Sequence, residues 1–96
     1  MKELTDDEEN RLFSKLDSIF LKFTKEFDSS EPRETSYYYD KKIKAYTYGL
    51  IVYYIEGLEF WNLIHKYGLK IYCIAEGQFN VVVDLLVTRK TINKIM

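Results

Sequence analysis

His65 and Cys73 are the single histidine and single cysteine of this 96-residue chain. They are the residues best suited to nucleophilic chemistry, with the imidazole drawing the thiol proton. That chemistry needs the two side by side. Cys73 lies in an apolar run between Tyr72 and Ile74, where a thiol is expected to be inert packing. One His and one Cys also fall short of the four ligands of a closed zinc site. An active site built across a dimer interface would have to join His65 to a carboxylate such as Glu59 or Asp84. No spacing in the chain argues for that arrangement. There is no glycine-rich phosphate loop and no RNP-like motif. The chain is therefore read as no enzyme, with no catalytic residue, no metal ligand and no cofactor.

Two other clusters could bind. Asp6, Asp7, Glu8 and Glu9 form an acidic run. Consecutive helical residues point in different directions and do not converge on a cation. Their expected role is to complement the positive end of a helix, with protein docking as the alternative. The segment from Tyr37 to Tyr48 (YYYDKKIKAYTY) packs five tyrosines and three lysines into twelve residues. Its candidate binding residues are Tyr37, Tyr38, Tyr39, Lys41, Lys42, Lys44, Tyr46 and Tyr48. On a strand, Lys44, Tyr46 and Tyr48 would share one side, opposite Ile43, Ala45 and Thr47. Aromatics interleaved with lysines can stack bases and neutralise phosphates. Tyrosine equally suits protein interfaces. It also suits a half-buried sheet with its hydroxyls in water.

The composition bounds the rest. The chain is 47% hydrophobic and 17% aromatic, too apolar for disorder and long enough for one domain, 1–96. The net charge of −1 gives no overall footprint for nucleic acid. The charge is uneven, with −4 over residues 1–34 and +3 over residues 35–96. A lone cysteine excludes an internal disulfide. The acidic N-terminus has no apolar signal core. The longest uncharged run, Ala45 to Ile55, is eleven residues, against about 18 for a membrane helix. A reducing cytosol and no membrane association are expected. Eleven Lys stand against three Arg, with nine Ile, nine Tyr and two Ala. In that Tyr/Ile/Lys richness and small size the chain resembles the small orphan proteins of crenarchaeal viruses and similar AT-rich mobile elements. The resemblance implies a host-cell cytoplasm and an accessory role.

The elements that would position these residues are legible in the pattern. Leu12, Phe13, Leu16, Ile19, Phe20, Phe23 and Phe27 trace one face of a long helix over 6–27. Thr5 and Glu8 form its capping box. Residues 28–34 hold the only proline and read as a loop. Thr35 to Tyr39 and Ile43 to Ile55 read as a strand hairpin joined by Asp40-Lys41-Lys42, with Gly49 a bulge or bend. A helix over 41–55 is the alternative. Gly57 to Tyr67 reads as a short helix on a Leu58, Trp61 and Ile64 stripe, closed by Gly68. Leu69 to Ala75 and Gln78 to Thr88 read as a hairpin around Glu76-Gly77. In the last strand Phe79, Val81, Val83, Leu85 and Val87 share a face, and Val82 and Leu86 lie opposite. The basic tail, 89–96, reads as short helix or frayed.

The order α-β-β-α-β-β gives an α+β domain in two layers, an antiparallel sheet with its helices on one face. The body spans 35–88. The other sheet face would carry Tyr72, Ile74, Val82 and Leu86 and remain open. Contiguous exposed apolar surface marks interaction sites, and a homodimer is the commonest solution for a small chain. The expectation is a homodimeric accessory protein that binds another protein, and the resemblance implies a viral or mobile-element modulator of a host system. Single-stranded nucleic-acid binding through residues 37–48 is the alternative.

Overall fold

Thr5 opens the first helix, α1 (Asp6–Phe20), in a computed structural model that describes residues 2–24, 35–52, 58–77 and 80–96. The expected capping box is present. The Thr5 hydroxyl accepts the Glu8 amide, and the Glu8 carboxylate accepts the Thr5 amide. The helix stops short of the expected Phe27. After Phe20 the chain tightens into a 3₁₀ turn, Leu21–Thr24. There the Thr24 hydroxyl donates to the Leu21 carbonyl at 2.8 Å, the kind of local side-chain bond that competes with helix propagation. Residues 25–27 and the expected loop 28–34 lie outside the described residues.

Strands β1 (Thr35–Asp40) and β2 (Ala45–Val52) pair as an antiparallel hairpin. Strand therefore prevails over helix for 45–52. The turn is longer than expected and takes in Ile43 and Lys44. The Asp40 carboxylate accepts the Lys42 amide at 2.9 Å, and Lys44 adopts a positive φ of 51°. Side-chain capping by Asp suits such a turn. Gly49 is no bulge. The register runs unbroken through Ser36, Gly49 and Asp84. Glycine stands there because the Asp84 side chain lies over it, and a Cβ would come within 2.6 Å of Asp84 Oδ1.

Helix α2 (Glu59–Lys66) buries Phe60 and Ile64, while Leu58 and Trp61 are exposed. Its inward stripe thus runs at a spacing of four and not along the expected Leu58, Trp61 and Ile64. Strands β3 (Lys70–Glu76) and β4 (Val81–Val87) follow. Glu76 pairs with Val81, so the connection lies beyond Glu76. The tail is helical. Helix α3 (Arg89–Ile95) is capped by reciprocal bonds between Thr88 and Thr91.

The four strands form one antiparallel sheet in the order β1-β2-β4-β3. Among the described residues three α-helices cover one face, and the result is the expected α+β order with a further C-terminal helix. Tyr46, Tyr48, Leu50 and Val52 of β2 and Val83, Leu85 and Val87 of β4 point into the helical layer. They meet Leu12, Phe13, Leu16 and Phe20 of α1, Phe60 and Ile64 of α2, and Ile95 of α3. Phe60 meets Phe20 and Phe23 edge-on and so joins α2 to α1 and its 3₁₀ turn. Lys22 pairs with Glu59 outside that contact. No described helix is long and apolar enough to cross a membrane.

Candidate functional site

The tyrosine-rich segment divides between core and surface. Tyr46 and Tyr48 were expected on a binding face beside Lys44. Both are instead fully buried on the helix side, and Lys44 belongs to the turn. The reason is that carboxylates from α1 meet their hydroxyls. Tyr46 donates to Glu9 at 2.6 Å and accepts the Leu4 amide at 2.8 Å. Tyr48 donates to Asp17 at 2.6 Å. Burial, then these carboxylate bonds, push both phenols above their ordinary range. Tyr37 stacks flat on Phe13, with centroids 4.1 Å apart. Tyr39 meets Tyr46 edge-on. Of the five tyrosines only Tyr38 stands out on the uncovered side, 61% exposed. Lys41, Lys42 and Lys44 are exposed at the hairpin tip. On the open face a stacking platform of five rings is therefore reduced to one, while Tyr37, 46% exposed, lies against Phe13 on the helix side.

The opposite sheet face is covered by none of the described elements. Its rows follow from the register. One row runs Tyr38, Thr47, Leu86 and Lys70; the next runs Ser36, Gly49, Asp84 and Cys73; the third holds Ile51, Val82 and Ala75. Val82 and Leu86 lie on this face, as expected. Ile74 does not. A bulge between Ile71 and Cys73 shifts the phase of β3, so Ile71 pairs with Leu85 and Ile74 with Val83, residues of the helix side. Tyr72 is the extra residue of that bulge. The four residues expected to make one interface are thus split between two faces, joined only by the adjacency of β3 and β4.

The unanticipated feature is the state of β3. It is a sheet edge, and all seven of its residues are exposed. Ile71 is 39% exposed, Tyr72 50% and Ile74 49%. A signal for this was present in the sequence. Ile71 and Tyr72 are adjacent and Ile74 follows at two, an apolar surplus that one face of an alternating strand cannot hold. Cys73, expected to be packed, is exposed on the open face because that bulge turns it outward. His65 is exposed near the end of α2. Among the described residues no three His, Cys, Asp or Glu converge as metal ligands.

Comparison with protein-family models, with curated proteins and with solved structures returns no match.

Proposed function

We propose that the chain is a non-enzymatic binding protein whose working surface is edge strand β3 with the adjoining strip of β4, and that a second copy of the chain is its first partner. The observation that carries this reading is the edge itself. Natural sheet edges are blunted by charge, proline or cover. β3 presents Ile71, Tyr72 and Ile74 to solvent between one lysine and one glutamate. Those two charges sit at opposite ends of the strand. An antiparallel copy therefore sets the Lys70 end of one strand beside the Glu76 end of the other, and the edge is complementary to itself. Isologous pairing of this kind gives a closed dimer. The bulge at Tyr72 limits ladder pairing to the Cys73–Glu76 stretch, so side-chain packing has to supply much of the contact. A second protein can then dock on the open face, which dimerisation at the edge leaves free. The compositional resemblance to small viral proteins suits an accessory, host-modulating role.

The test is molecular mass by light scattering over a dilution series, for the parent chain and for Ile74→Lys. The expected result is a dimer for the parent and a folded monomer for the variant. A parent chain that is monomeric at every concentration, or a variant that remains dimeric, overturns the reading.

A further inference from the structure

A second surface lies where α2 ends, β3 begins and β4 passes into α3. Gly68 reverses the chain after α2 with a φ of 69°. Its amide donates to the His65 carbonyl at 3.1 Å, and the Leu69 amide donates to the Ile64 carbonyl at 3.0 Å, closing the helix. The Thr88 hydroxyl donates to the Gly68 carbonyl at 2.6 Å. That bond ties the start of β3 to the start of α3. Lys90 folds back over Gly68, and a Cβ at Gly68 would lie 2.8 Å from the Lys90 stem. The corner is therefore built from backbone and held in place. It encloses a surface depression whose charged or titratable lining is His65, Lys70, Arg89 and Lys90, with no carboxylate among the lining residues.

Three permanent cations line one hollow in a chain whose net charge is −1. Among the described residues, none of the three is paired with a carboxylate. Like charges brought together without counter-charge repel, and an oxyanion between them removes that cost. Arg supplies a planar fork that matches two oxygens of a tetrahedral anion, and the lysines act as mobile point charges. The ligand chemistry that fits is a phosphoryl group with its oxygens shared among several donors. We propose that this corner binds phosphate, either as a small phosphoester or as a backbone phosphate of a nucleic-acid strand. The site is separate from the three lysines of the hairpin tip; it shares Lys70 with the β3 edge, while Arg89 and Lys90 belong to α3.

Amide chemical-shift titration of the full chain tests it, with inorganic phosphate, pyrophosphate and an unphosphorylated single-stranded oligonucleotide as probes. The expected result is saturable shifts centred on Gly68, Arg89 and Lys90. The double variant Arg89→Gln/Lys90→Gln should weaken binding roughly tenfold or more, with the spectrum elsewhere unchanged. Lys41→Gln/Lys42→Gln should leave the affinity as it was. Tighter binding of pyrophosphate assigns the site to small phosphoesters, and tighter binding of the oligonucleotide at the same amides assigns it to a strand. Shifts that fail to saturate, that spread over all surface lysines, or that fall equally in the two double variants overturn the proposal.

Discussion

Tyr48 donates a hydrogen bond to Asp17 inside the helix–sheet contact, and Tyr46 donates one to Glu9. Removing either hydroxyl leaves a partly shielded carboxylate without its donor. Tyr48→Phe is expected to cost about 1–2 kcal/mol, read as a lower urea midpoint at neutral pH with an unchanged m-value. Both phenols are held neutral in the fold, first by burial and then by the carboxylates. In the unfolded chain they ionise near pH 10. The sign follows from linkage: their contribution is complete below about pH 10 and is lost as the pH rises beyond it. Urea midpoints measured from pH 7 to 11 should therefore fall above pH 10. That fall should be shallower in Tyr46→Phe/Tyr48→Phe. An unaltered alkaline limb in the double variant would refute the assignment.

The elements differ in how plainly they were written. α1 was legible because its cap, its acidic first turn and its apolar stripe agree, and β4 because its alternating valines and leucines admit one inward face. The core role of Tyr46 and Tyr48 was not legible. Their acceptors lie 37 and 31 residues away in sequence, and no local pattern encodes that distance. The surface on β3 was half legible. Its apolar surplus could be read, while the bulge that divides it between two faces depends on its pairing with β4. Caps are the elements' testable parts. Thr5→Ala is expected to cost about 1 kcal/mol, measured by chemical denaturation. The Glu8 carboxyl is held below its ordinary range, first by the Thr5 amide and then by the Thr5 hydroxyl. Its contribution is therefore present above pH 4.5 and is lost as the pH falls through the lowered value. Gly68→Ala meets both a left-handed backbone and the Lys90 stem. It should cost about 1–2 kcal/mol, and the shifts of the Lys90 side chain should move with it.

At the scale of the molecule, thermal stability should report on association. A partner bound only by the folded state raises the melting temperature by mass action. The parent chain is expected to melt higher as its concentration rises, and Ile74→Lys to melt at one temperature throughout. A scanning calorimeter run at several protein concentrations decides it. The two tyrosine–carboxylate bonds have a consequence of another kind. Glu9, Phe13 and Asp17 fall at intervals of one helical turn, so the bonded carboxylates bracket the ring that rests on Tyr37. These are two latches on one rod. A pull along the axis of α1 loads both at once, whereas a pull that lifts its N-terminus opens the Glu9 latch before the Asp17 latch feels the load. The first helix is thus strong in shear and weak in peeling, and it would detach under tension from its N-terminal end in two steps.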